Sequence, residues 1–188
     1  MGIRSFLAFE LPFDIKNEVA RISANKQTGG LDAGGVKPGN IHLTMAFLGD
    51  MAERDMPAII ASTDNALKGT TPFDISLSGM GLFPDIRRPR VMWLGLNGEM
   101  ERLSALRDRL QAPLAPFGVE QEKRPFTPHL TLARFRRPVK DATLLIRLID
   151  KYRDIAGPEG RLDELVLFKS DLRQGGSVYT KIHTWPLA

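Results

Sequence analysis

The 188-residue sequence predicts an α+β protein made of two pseudo-two-fold lobes, two largely antiparallel sheets facing a central cleft with helices on the outside. Three observations predict it. Stretches of alternating apolar residues, the mark of strands, take turns with stretches of helical spacing along the whole chain. The succession strand, helix, strand, helix, strand, strand can be read twice. The tripeptide His-Leu-Thr also occurs twice, at 42–44 and 129–131, and takes two of only three histidines. Residues 1–188 are expected to form a single two-lobed domain with an internal repeat.

The first strand is read over 5–11 (SFLAFEL), after which Pro12 and Asp14 open a helix with Ile15, Val19 and Ile22 at helical spacing. Residues 28–40 are rich in glycine. They hold Val36 where a phosphate-binding loop would carry its lysine, with no Ser or Thr following, so they read as a flexible connection. The first His-Leu-Thr strand is expected to stop at Gly49 and Asp50. Asp55 and Pro57 then open a second helix whose inward positions are Met56, Ile59, Ile60, Thr63 and Leu67. Strands at 73–77 and 90–96 are joined by a loop rich in Gly, Pro and Arg. A third helix carries Met100, Leu103, Leu106 and Leu110 and ends before Pro113 and Pro116. The second His-Leu-Thr strand follows Arg124 and Pro125. A fourth helix is expected from Asp141, with Leu145, Leu148, Ile149 and Tyr152 inward, and strands at 162–169 and 178–185 close the chain. In the second half, strand 90–96 takes the place that 5–11 holds in the first.

Composition narrows the function classes. With 43% hydrophobic and 26% charged residues the chain is an ordinary globular one. It has no cysteine, which removes disulfides, thiolate nucleophiles and cysteine-based zinc sites together. The N-terminal apolar run is cut off by Glu10 and Pro12, so neither a signal peptide nor a membrane span is expected, and the reading is cytoplasmic. The net charge of +4 favours an anionic partner. Arg87, Arg88 and Arg90 crowd one stretch, and Lys123, Arg124, Arg134, Arg136, Arg137 and Lys140 bracket the second motif, which favours a phosphate-bearing ligand.

Strand geometry explains the form His-x-Thr. Side chains alternate between faces, so His42 and Thr44 project together while Leu43 and Met45 project into the core, and His129 with Thr131 does the same. Two such strands brought together make a site with two imidazoles and two hydroxyls. An unperturbed imidazole titrates near neutral pH, so a pair suits general acid and base work. In-line displacement at phosphorus needs a base on the attacking oxygen and an acid on the leaving one, and hydroxyls can hold the non-bridging oxygens. A metal site is the competing use for two histidines, but no further His or carboxylate stands at ligand spacing; Asp50, Glu53 and Asp55 read as a loop and a helix cap.

HLTM at 42–45 and HLTL at 129–132 resemble the two signatures of the 2H phosphoesterase superfamily. NIHLTMAFLG, RPFTPHLTLARF and the tail LVLFKS with Tyr179 and Thr180 are similar to its RNA 2',3'-cyclic phosphodiesterase (2'-5' RNA ligase) branch. The resemblance spans almost the whole chain and implies the duplicated two-lobed fold. It implies opening of RNA 2',3'-cyclic phosphate ends to 2'-phosphomonoesters without metal or other cofactor, and in reverse a 2'-5' RNA ligation. It makes His42 the general acid and His129 the general base, although a pseudo-symmetric site admits either order. Thr44 and Thr131 would hold the phosphate. Arg134, the Arg of HLTLAR, would bind substrate too, yet strict alternation puts it on the face opposite His129. Phe47 has the same parity and is expected in the core unless it stacks on a base. Arg124 would flank the cleft, and His183 is read as an ordinary edge residue. RNA with 2',3'-cyclic phosphate termini is the implied partner, with no membrane or protein partner, and the chain is expected to be a monomer. Two alternatives stand: a phosphodiesterase for a cyclic-phosphate nucleotide metabolite, and an RNA-binding protein without turnover.

Overall fold

A computed structural model describes residues 2–28, 34–139, 142–174 and 176–188. The expected helix start at Asp141, the cation Lys140 and residues 29–33 of the glycine-rich stretch lie outside the described residues. The strands are β1 (Gly2–Glu10), β2 (Gly34–Gly35), β3 (His42–Ala52), β4 (Phe73–Phe83), β5 (Val91–Gly98), β6 (His129–Arg134), β7 (Glu159–Leu162), β8 (Glu164–Arg173) and β9 (Gly176–Pro186). The helices are α1 (Phe13–Thr28), α2 (Met56–Leu67), α3 (Met100–Gln111) and α4 (Thr143–Lys151). No helix among the described residues is long and apolar enough to cross a membrane.

The strands form one antiparallel sheet in the order β7-β4-β5-β6-β3-β1-β8-β9, with β2 paired to β6. The α+β class read from the sequence is the one observed, and its two facing sheets are the halves of a curled ladder. Each half has its motif strand innermost, and the halves meet through a single bridge pair, Leu43 opposite Leu130. The curl is evident at Asp163, the one residue between β7 and β8, which lie in opposite halves of the strand order. The crossing takes a single residue and carries no Gly or Pro to mark it, so the sequence reads one strand at 162–169 where the chain builds two.

One face of the sheet carries the main core. Leu7, Phe9, Leu43, Leu94 and Leu130 are fully buried there together with Ile15, Ile22, Ile59, Leu103 and Leu145 from the four helices. The inward positions read from helical spacing are buried as expected, with Ile60, Met100 and Ile149 packed at the margin. Burial of each such side chain is worth roughly 1.5–3 kcal/mol, which is what holds helices of 9 to 16 residues onto the sheet. The opposite face holds a small separate cluster of Phe6, Ala8, Val166 and Phe168, with Tyr179 against it. Both histidine strands present their polar residues to this second face.

The flexible connection expected over 28–40 is corrected in its later part. Gly34 and Gly35 pair with Arg134 and Ala133, the Val36 amide donates to the Leu132 carbonyl, and residues Pro38–Asn40 form one turn of 3-10 helix. Beyond the single bridge the two motif strands leave ladder groups of β6 unpaired, and this segment satisfies them. The strand expected to stop at Gly49 also runs on to Ala52, with Gly49 at φ 76° where the register to β1 slips.

Candidate active site

Leu43 opposite Leu130 fixes the relation of the four motif side chains. Continued by one residue either way, the antiparallel register sets His42 across from Thr131 and Thr44 across from His129. Leu43 and Leu130 are fully buried, while the four polar residues are half-buried on the other face. The histidines therefore occupy one diagonal of a four-cornered site and the threonines the other. Diagonal neighbours on a sheet stand roughly 7–8 Å apart, enough to admit a tetrahedral group between two rings.

Both rings are anchored in the same way. His42 Nδ1 lies 2.8 Å from the Asn40 carbonyl oxygen, and His129 Nδ1 lies 2.7 Å from that of Thr127, in each case two residues upstream. A carbonyl only accepts, so Nδ1 donates, and the neutral ring keeps its lone pair on Nε2. Burial pushes the pKa of His42 down to about 4, opposed by the Asn40 hydrogen bond and aided by the charge of Arg134. His129 is lowered by the same three causes in the same order: burial, opposed by the hydrogen bond to Thr127, then Arg134. Both shifts favour the neutral ring.

Arg134 acts on both rings because the strand is not regular. Trp93 pairs with Thr131 and Met92 with Ala133, so Leu132 is an extra residue, a β-bulge. Leu132 and Ala133 are then both buried, and Arg134 returns to the face of His129 and Thr131. The expectation from strict alternation is thereby corrected. The same irregularity occurs in β3, where Ala8 pairs with Thr44 and Leu7 with Ala46. Met45 and Ala46 are both buried, and Phe47 emerges on the histidine face with 66% of its surface exposed. Phe47 is thus outside the core in which alternation placed it, opposite Phe6.

The walls around the two rings differ. His42 stacks on Phe6 with centroids 4.7 Å apart and meets Tyr179 edge-on at 5.3 Å. His129 meets Phe83 edge-on at 5.0 Å and lies near Trp93. Trp93 lies so close over Gly81 that a Cβ there would come 2.3 Å from the indole. Arg124 is exposed and paired with Glu122 at 2.5 Å. His183 rests on Trp185, at a centroid distance of 4.6 Å. Arg107 escaped notice in the sequence: it is buried on α3 and donates to the carbonyls of Glu122 and Arg124, fixing the chain that leads into β6. Among the described residues no three His, Asp or Glu side chains gather as a cation site.

Residues 11–174 match the family model of the 2'-5' RNA ligase superfamily. The chain belongs to that superfamily. It is 32% identical over 187 residues to the RNA 2',3'-cyclic phosphodiesterase of Methanothermobacter thermautotrophicus, covering 100% of both chains. It is 31% identical to the protein of the same name from Aquifex aeolicus, over 98% of this chain and 97% of the relative. Among solved structures it superposes on TT0787 of Thermus thermophilus with a TM-score of 0.81 at 26% identity, covering 98% and 97% of the two chains. E. coli LigT complexed with 3'-AMP matches with a TM-score of 0.71 at 25% identity, over 100% and 99%. The architecture of the superfamily is the one described above, including the resemblance read from the two motifs.

Proposed function

We propose that this protein hydrolyses 2',3'-cyclic phosphate ends of RNA to 2'-phosphomonoesters by two-histidine general acid-base catalysis, without a metal or other cofactor, residues 1–188 acting as one two-lobed domain. One observation carries the mechanism: both imidazoles are held at Nδ1 by backbone carbonyls, with Nε2 left for the site. Relatives of the same length named RNA 2',3'-cyclic phosphodiesterase support the choice of substrate.

In the forward direction His129 Nε2 accepts a proton from water as its oxygen attacks phosphorus. The bond from phosphorus to the 3'-oxygen breaks, and protonated His42 delivers its proton to that oxygen. The 2'-phosphate and a free 3'-hydroxyl result, with each histidine left in the other's starting state. Thr44 and Thr131 hold the non-bridging oxygens from the second diagonal, and Arg134, on the same face, offsets charge gathering there. The bound anion favours the imidazolium that burial disfavours in the free protein. With an RNA 5'-hydroxyl attacking phosphorus in place of water, the same course breaks the bond to the 3'-oxygen and leaves a 2'-5' phosphodiester, a ligation.

The test is incubation of purified protein, with excess chelator, with RNA ending in a 2',3'-cyclic phosphate. A 2'-phosphomonoester is expected. A 3'-phosphate product would overturn the regiochemistry, and loss of turnover on chelation would overturn the metal-free route.

A further inference from the structure

The two arginine groups seen in the sequence are brought together by the sheet. Val91, at the start of β5, pairs with Arg134, at the end of β6, and the Phe135 amide donates to the Arg90 carbonyl at 2.9 Å. The loop 83–90 thus stands beside residues 134–137, and Arg87, Arg88, Arg90, Arg134, Arg136 and Arg137 share one end of these strands, all exposed. None of the six joins an ion pair among the described residues, whereas Arg21, Arg102, Arg124, Arg153 and Lys181 each hold a carboxylate elsewhere. The loop's one acid, Asp85, is occupied by the backbone amides of Arg87 and Arg88, at 2.7 and 3.1 Å, which fixes the loop that carries them. Segments 83–90 and 129–139 hold these six arginines and one aspartate, a local charge of +5. The whole chain is +4, so all other residues together carry −1.

The rim is continuous with the active site. Arg134 shares the face of His129, and Phe83, where the loop begins, touches the His129 ring. The other way out passes a cavity of about 160 Å³ beside His42, lined by Glu10, Lys16 and Lys181 among others. There Lys181 is already bound to Glu10 at 2.6 Å and Glu164 at 3.1 Å, which leaves Lys16 as the one lining cation outside an ion pair among the described residues, against six arginines on the rim. Over β6, from His129 to Arg134, extended backbone covers at most roughly 17 Å, more than one nucleotide of single strand.

Resting on the function proposed above, we infer that the arginine rim at 87–90 and 134–137 is the path by which the body of an RNA strand, 5' of its cyclic phosphate, leaves the active site. The enzyme then acts on RNA chain ends in preference to free cyclic mononucleotides. The rim reads phosphates and not bases, so its contribution falls with salt and is blind to sequence.

The test compares wild type with the variant Arg87→Gln, Arg88→Gln, Arg136→Gln, Arg137→Gln, which leaves Arg134 and the motifs intact. Two probes are used: a labelled ten-nucleotide RNA ending in a 2',3'-cyclic phosphate, followed for binding and turnover over a salt series, and 2',3'-cyclic AMP, followed for turnover. The variant is expected to bind the RNA at least tenfold more weakly in low salt. Its slope of log affinity against log salt should be shallower by about 2 to 3, at about 0.7 per lost phosphate contact on a single strand. Turnover of the cyclic mononucleotide should stay within twofold, which also reports an intact fold. Equal RNA affinity and salt slope in the two proteins would overturn the path. If wild type turns over neither probe, the assigned reaction falls, while the path is still decided by the binding series.

Discussion

The halves of the sheet share a backbone and differ in what they set upon it. β3 and β6 each run His-Leu-Thr, an apolar residue and Ala, bulge at the same point, and turn the next residue back to the site face. In one half that residue is Phe47 and in the other Arg134. His42 stands in an aromatic wall of Phe6 and Tyr179; His129 stands beside Phe83 and Trp93, at the edge of the arginine rim. The difference teaches that a duplicated backbone supplies the same pair of side chains twice while their surroundings need not match: charge on the β6 side, apolar surface on the β3 side.

The comparison is sharpened first at its shared part. His42→Ala and His129→Ala should each lower turnover of a 2',3'-cyclic phosphate by about 10²- to 10⁴-fold, with thermal melting little changed. A variant keeping most of its rate would show that the two rings do not work as a pair.

The unequal surroundings should be visible in titration. His42 has a folded pKa of about 4 against 6.5 for an ordinary histidine, so below pH 6.5 the unfolded chain binds the proton that the folded one refuses. Its contribution to stability is therefore intact above pH 6.5 and is lost as pH falls toward 4. Phe6→Leu, which admits water to the ring, should raise this pKa toward 6.5 and narrow the window. Imidazole proton resonances followed over pH report it, and an unchanged His42 titration in the variant would contradict burial as the cause. Smallest of all, His183→Ala should leave turnover within twofold, since that ring only packs on Trp185 outside both motifs.

Most of the fold was legible because its signals are periodic. Ile15, Val19 and Ile22 repeat at helical spacing, and Leu43 with Met45 at strand spacing, and each lies where that period put it. The motif pair was legible for a different reason, as a repeated rare residue with a repeated partner. What stayed hidden depends on hydrogen bonds that leave no residue signature. The bulges at Met45 and Leu132 shift parity by one, so period-2 reasoning sent Phe47 and Arg134 to the wrong face. The pairing of Gly34 and Gly35 with β6 uses backbone groups that any residue carries. The convergence of loop 83–90 with 134–137 needed the register of β5 on β6, which no local pattern records.

The carbonyls of Asn40 and Thr127 bear on how a proton can move through this site. Nδ1 donates to them whether the ring is neutral or an imidazolium, so the anchor is unbroken in both protonation states. Each ring can exchange its Nε2 proton without turning, and the reorganisation that slows proton transfer in water has little to act on. Because the anchors are main-chain atoms, substitutions at positions 40 and 127 leave the accepting carbonyls themselves in place, although Asn40 also fixes its segment by donating to the Ser177 carbonyl at 2.7 Å.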